Sequence, residues 1–272
     1  MKVEEIVELI GETSSSLPED VLKALRTALR RERGDASAAV VLRTILENCA
    51  LARTRKVPLC QDTGTLTFYV DERLRRRVTP LKLKKAVALA TAHGFLRKNT
   101  IDSLTGRSYD DNVCEGAPVI HYTAATASAP LVTLVMKGGG SENMSRQYSL
   151  PDVSLGAGRD LAGVRACVLD AVQKIQGYGC APGVLGVCVG GDRATGYEVA
   201  KEQLLRSLDE KPTPFEARLL KEANRLGIGP MGLGGKTTLL GVKVAARSRV
   251  PASFFVTIAY MCWALRRKTV VC

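Results

Sequence analysis

The sequence predicts a mixed α/β chain: one domain spanning residues 1–272, with a helical N-terminal subdomain over 1–55 and an α/β part over 56–272. Three observations predict it. Apolar residues recur at helical spacing before residue 55, short β-branched or alternating runs begin after Gly64, and helical runs are interleaved with those strands. That interleaving is the pattern of a sheet covered by helices.

The helical part opens on the acidic, amphipathic stretch MKVEEIVELI. In PEDVLKALRTALRRER, Val21, Leu22, Leu25 and Leu29 fall at helical spacing behind Pro18, which suits a first helical position. ASAAVVLRTILENCALA continues the pattern. After Gly64, TLTFYV, APVIHYTAA and PLVTLVMK read as strands, while PLKLKKAVALATAHGFL and LAGVRACVLDAVQKIQ read as helices. GVLGVCVGG is a further strand. TPFEARLLKEANRLG is a helix with a capping box, Thr213 with Glu216, closed by Gly227. KTTLLGVKVAA and SFFVTIAYMCWA read as the last strands.

With 272 residues the chain can bury a core without staples. Its eight cysteines are scattered through periodic segments, and the N-terminus lacks the basic-then-apolar order of a secretory leader. A reducing, cytoplasmic setting with thiols available as ligands is expected. The most apolar segment, PASFFVTIAYMCWAL, has only 15 residues. A bilayer span needs roughly 18 to 20, so no membrane segment is expected. The net charge of +12 comes partly from RTALRRER and RLRRRVTPLKLKK, but aromatics are only 5% and none interleaves with those runs. Solvated helix faces are expected, not a nucleic-acid site, and the basic surface would attract small di-acids or an acidic partner subunit.

Several stretches carry chemistry. In VPLCQDTG a thiol, an amide and a carboxylate stand side by side, either as a ligand with its acid–base group or as a polar turn before a strand. Cys60, Cys180 in GYGCAPG and Cys262 in AYMCWALRR each lie beside glycine, proline or charge at the end of a regular element. Cys49 and Cys167 fall on apolar helix faces and Cys188 lies within a strand, where free cysteine is ordinary core. The three loop thiols are 120 and 82 residues apart, which is not a zinc-ribbon spacing. With only two histidines in the chain, a thiolate-rich donor set favours an iron–sulfur cluster over zinc, although spacing alone is weak evidence.

MKGGGSENMS packs three glycines behind Lys137, either as an anion-binding nest or as a hairpin turn. IGPMGLGGKTT fails as a phosphate-binding loop because Pro230 stands where the first glycine is required. HGFLRKN places Arg97 and Lys98 at a helix end, as partners of the helix dipole or as a grip for a substrate carboxylate.

Taken in order, LENCALARTRKVPLCQDTGT, KGGGSENMS, GCAPGVLGVCVGG, LGIGPMGLGGKTT and PASFFVTIAYMCWALRR resemble the iron–sulfur class I fumarate hydratase and tartrate dehydratase family, specifically its alpha subunit. The resemblance implies a 4Fe–4S cluster on Cys60, Cys180 and Cys262 with one iron left open as a Lewis acid. It implies Asp62 and Arg97 as catalytic residues, and Gln61, Arg97 and Gly140 as substrate-binding ones; Lys137, the cation just before the glycine triplet, is expected to join the substrate-binding set. It further implies a beta subunit that supplies the rest of the site, hence a hetero-oligomer. The reaction implied is reversible hydration of fumarate to malate. A dehydratase of tartrate or another 2-hydroxy dicarboxylate, or a non-catalytic cluster-bearing member, are the alternatives. The chain departs from the family pattern at NVCEG (Asn112 to Gly116), at Val250 where a histidine is common, and at Leu265 where an aspartate is common.

Overall fold

The computed structural model describes residues 1–32, 36–125 and 127–272. Its helices are α1 (Val3–Ser15), α2 (Glu19–Arg31), α3 (Ala36–Arg55), α4 (Pro80–Ala92), α5 (Gly139–Asn143), α6 (Leu161–Ile175), α7 (Arg193–Gln203) and α8 (Pro214–Asn224). Its strands are β1 (Thr65–Asp71), β2 (Val119–Thr123), β3 (Leu131–Lys137), β4 (Arg146–Ser149), β5 (Gly183–Val189), β6 (Leu239–Ala246), β7 (Phe255–Met261) and β8 (Arg266–Val271). The mixed α/β class and the helical start are as the sequence predicts. The periodic pattern did not announce α5, α7, β4 or β8; α5 and β4 are short, and α7 and β8 carry polar sequences. Arg33, at the end of the predicted second helix, lies outside the described residues.

The chain forms two compact units. The first comprises Met1–Pro18, Glu47–Gly139 and Ala264–Cys272. Its sheet has the order β2-β1-β3-β8, with β1 parallel to β2 and antiparallel to β3, and β3 antiparallel to β8. The alternation in β1 turns Leu66, Phe68 and Val70 inward, where they meet Ile6, Leu9 and Ile10 of α1 and Leu83 and Val87 of α4. Burying each such aliphatic side chain stabilises by about 1.5–3 kcal/mol before entropy is counted. α4 starts on Thr79, whose hydroxyl accepts from the Lys82 N–H, with Pro80 in the first turn.

The second unit comprises Glu19–Leu46 and Gly140–Trp263, with a sheet of order β4-β7-β5-β6. β5 runs parallel to β6 and antiparallel to β7, and is buried on both faces, which explains its unbroken apolar run. Leu185 and Val187 of β5 pack in one core with Val168 and Val172 of α6 and Leu219 of α8. Gly186 points the other way, to α7, and a methyl group there would stand 2.0 Å from the Ala200 carbonyl oxygen. Glycine is what lets that helix lie against the sheet.

α8 has the predicted capping box on Thr213 and Glu216. Glu216 is buried, and its carboxylate accepts from the N–H of Thr213 at 2.8 Å, the N–H of Val244 on β6 at 2.7 Å and Arg206 at 3.0 Å. Burial alone would raise its pKa, but these donors outweigh it and hold the group below its ordinary 4.5. A carboxylate with a lowered folded pKa adds stability above its unfolded value and loses it as the pH falls through the folded one. Glu216→Gln is therefore expected to lower stability by about 1–2 kcal/mol at neutral pH. The deficit should shrink as the pH falls below 4.5, as read by urea titrations across pH.

Among the described residues no helix is long and apolar enough to cross a membrane. Part of the arginine excess is paired locally, Arg73 with Asp71 at 2.6 Å, Arg75 with Glu72 at 2.5 Å and Arg26 with Glu19 at 2.7 Å.

Candidate active site

In the first unit, the turn after α3 carries Cys60, Gln61 and Asp62 into β1. The Leu59 N–H donates to the Ser14 carbonyl at 3.0 Å, and the Asn48 amide donates to the Leu59 carbonyl at 2.9 Å, so the turn is held on both sides. The Arg266 guanidinium, buried at the start of β8, donates to the Asp62 carbonyl at 2.7 Å. Gly64 has φ +74°, and a methyl group there would meet the Lys137 carbonyl oxygen at 2.4 Å. A methyl group on Gly138 would meet Asp62 Oδ2 at 2.7 Å. The first glycine of the triplet is thus the floor beneath the Asp62 carboxylate.

Arg97 does not end a helix. α4 stops at Ala92 with His93 as its cap, and Gly94, at φ +78°, turns the chain away. Arg97 and Lys98 are therefore loop residues, which removes the helix-dipole reading. Lys98 pairs with Asp110 at 2.8 Å on the surface. The Arg97 N–H donates to the hydroxyl of buried Thr63 at 3.3 Å, and the Asn99 side chain to the same oxygen at 3.2 Å. Ser14 joins this loop too, donating its hydroxyl to the Phe95 carbonyl at 2.7 Å. One serine thus holds the turn of Cys60 through its carbonyl and the loop of Arg97 through its hydroxyl.

Asn112 completes the frame. It is buried with φ +60°, its side-chain oxygen accepts from the N–H groups of Asn99 and Thr100, and its amide donates to the Arg97 carbonyl at 2.7 Å and Thr91 at 3.0 Å. Asn112→Ala is expected to cost about 1–3 kcal/mol, because these groups lose their partner in a closed environment. Hydrogen exchange should then show faster opening of residues 97–100 and little change in α6.

These loops line a cleft of 730 Å³ whose lining includes Gln61, Asp62, Arg97 and Asn99, with Cys114 and Glu115 among the other lining residues. The volume suits a small ligand. A carboxylate, two amides and a guanidinium around one cleft can grip an anion and handle one proton. Lys137 is buried at the end of β3 and is not among the residues lining the cleft. Gly139 lines it.

MKGGGSENMS does not form a hairpin turn; its last two glycines open the short helix α5, and from Gly140 onward the motif belongs to the second unit. Gly140 is exposed there, and among the described residues no atom beyond its chain neighbours and its own helix backbone lies within 4 Å of where a Cβ would project. The Ser141 hydroxyl accepts from the Cys262 N–H at 3.1 Å, and the Ser145 hydroxyl accepts from the Tyr260 N–H at 3.2 Å. The motif therefore anchors the end of β7, where Cys262 emerges. Cys180 is exposed with φ +50° in the turn between α6 and β5, and its carbonyl accepts from the Trp263 N–H at 3.4 Å. Tyr260 lies against that turn. Burial first, then the nearby sulfurs of Cys262 and Cys180, push its phenol well above the ordinary range.

None of the eight cysteines forms a disulfide. Cys49, Cys167 and Cys188 are buried, and desolvation pushes Cys49 up to about 11, Cys167 up to about 12 and Cys188 upward. A thiol held protonated is a poor ligand. Cys60 and Cys262 are half-buried and Cys180 is exposed; all three lie outside the regular elements, Cys262 directly after β7 and the other two within the connecting turns. Among the described residues no three histidine, cysteine or carboxylate side chains gather as ligands of a single metal ion. Loop thiols without imidazoles are donors of the kind an iron–sulfur group takes. Of the departures from the expected pattern, Val250 is exposed between β6 and β7, and Leu265 is buried.

Residues 3–271 match the family model described as fumarate hydratase (fumerase). The chain belongs to the fumarate hydratase family. Within that family it is 48% identical over 274 residues to a provisionally named class I fumarate hydratase from Geobacillus stearothermophilus, covering 97% of this chain and 53% of that protein. It thus spans about half the length of that relative. It is 33% identical over 280 residues to a provisionally named L(+)-tartrate dehydratase subunit alpha from Methanocaldococcus jannaschii, covering 98% of this chain and 96% of that one. It is 28% identical over 270 residues to the L(+)-tartrate dehydratase subunit alpha of Escherichia coli K12, covering 95% and 86%.

Membership was legible from the ordered motifs, but the residues that hold this family member's loops were not. Ser14 sits in a run of small polar residues on a helix, Asn112 inside an irregular segment, and Arg266 in a basic pair after CWAL. The one available signal was a polar residue on an otherwise apolar helix face, at Ser14.

Proposed function

We propose that this chain is the alpha-type part of an iron–sulfur hydro-lyase that interconverts fumarate and malate. The observation that supports this most is the cleft, in which Asp62 and Arg97 are held by separate loops around one space, in a chain that matches the family along its length. In this reading Cys60, Cys180 and Cys262 hold a 4Fe–4S cluster with one iron free of protein ligands. When bound, that cluster supplies the Lewis acid that makes a substrate hydroxyl a feasible leaving group.

The chain's own residues do the rest. Arg97 grips one substrate carboxylate in two places, which fixes the di-acid's orientation. Gln61 adds an amide donor beside it. Asp62 gives a proton to the hydroxyl that departs as water and, in the reverse direction, takes one from the entering water, its carboxylate backed by Gly138 and its backbone held by Arg266. Gly140 offers its backbone N–H to the substrate. Lys137 places a buried positive charge at the head of the glycine triplet, which favours an anionic ligand. The general base and further cations come from a beta-type partner in a hetero-oligomer, a reading supported by relatives matched over most of their length being named alpha subunits. Eight cysteines without a disulfide suit a cytoplasmic setting.

Those same names favour a second reading, dehydration of L(+)-tartrate. Both are tested by reconstituting the chain anaerobically with iron, sulfide and a beta-type partner, then supplying malate or L-tartrate. Malate should give the absorbance of fumarate. Product from tartrate alone would select the second reading, and a cluster-bearing pair that dehydrates neither would overturn both.

A further inference from the structure

Tyr260 sits on β7, two residues before Cys262, with its side chain 1% exposed. Its hydroxyl has no hydrogen-bond partner among the described residues. Buried phenols in native folds nearly always find a partner, so an orphaned one calls for an explanation. The surroundings of the ring supply it. A methyl group on Gly179 would stand 2.6 Å from ring Cε1, and one on Gly183 would stand 2.4 Å from the hydroxyl oxygen. These two glycines flank Cys180. The turn that carries the cysteine is thus wrapped on the phenol, and no side chain larger than hydrogen fits at either flank.

Cys262 directly follows the last residue of β7, and its N–H donates to the Ser141 hydroxyl. The phenol is therefore built into the support of two of the three loop thiols. Nothing about the fold alone requires the oxygen, since a phenylalanine would fill the same space without burying an unpaired hydroxyl.

We propose that Tyr260 is a positioning residue for the cluster, its O–H donating a hydrogen bond to a sulfur of the group held by Cys180 and Cys262. This rests on the cluster reading above. A donor aimed at a cluster sulfur stabilises the more negative, reduced state and raises the reduction potential. It also makes the cluster harder to oxidise.

The test compares the full wild-type chain with Tyr260→Phe, both reconstituted anaerobically with iron and sulfide. Far-ultraviolet circular dichroism and thermal melts of the unloaded proteins confirm equal folding. The Phe variant should have a more negative midpoint potential, an altered electron paramagnetic resonance spectrum when reduced, and several-fold faster bleaching in air. Gly183→Ala, which displaces the hydroxyl, should move the potential in the same direction. Coincident potentials and spectra for wild type and Tyr260→Phe would overturn the proposal while leaving the cluster reading in place. If the wild-type chain takes up no cluster at all, the reading itself falls, and the proposal with it.

Discussion

Cys180→Ala is expected to abolish cluster assembly, with the iron content and visible absorbance of the reconstituted chain falling to background while the melting curve barely moves. The two halves of that expectation have different physical sources. Cys180 is exposed in a turn, and the substitution keeps the packing of Gly179 and Gly183 and the hydrogen bond to the Cys180 carbonyl that help shape the turn. Surface changes of this kind usually cost within about 0.5 kcal/mol. A cluster ligand, by contrast, cannot be replaced by a methyl group. Cys167→Ser is the matched control. It lies at 0% exposure inside the α6 core, so it should lose about 1–3 kcal/mol of stability through an unpaired hydroxyl and keep its full cluster content. Undiminished cluster absorbance in Cys180→Ala would contradict the ligand assignment.

Arg97→Met should lower kcat/KM for the dicarboxylate by about 10²- to 10³-fold, the loss of two charge-assisted hydrogen bonds of about 1.5–3 kcal/mol each, partly offset by water. The loop should survive the change, because its geometry comes from backbone groups, the Arg97 N–H on Thr63 and the Arg97 carbonyl on Asn112. The side chain itself is exposed in the cleft. Competitive inhibition is the decisive measurement. Dicarboxylate inhibitors should weaken in parallel with KM, whereas a monocarboxylate that fills only the other end should bind as before. If all inhibitors keep their affinity, Arg97 does not grip substrate.

Most of the secondary structure could be read from period and capping, since α8 with its Thr213–Glu216 box and the doubly buried β5 depend on local pattern. The short, polar elements could not. β8 reads RRKTVV, and what makes it a strand is its pairing with β3. α5 was hidden by its own glycines, which locally favour a turn.

By itself, the sequence determined the family, the mixed α/β class, and which cysteines stand in loops and which in core, because each of these is written in ordered motifs or in hydrophobic period. Only the tertiary structure decided what holds the reactive groups. Ser14 ties the Cys60 turn to the Arg97 loop across 81 residues of sequence to Phe95, Arg266 reaches Asp62 across 204, and the glycines flanking Cys180 close on Tyr260. Such contacts join backbone carbonyls and small side chains that carry no periodic signal, and they exist only once the sheets have brought distant turns within hydrogen-bond reach.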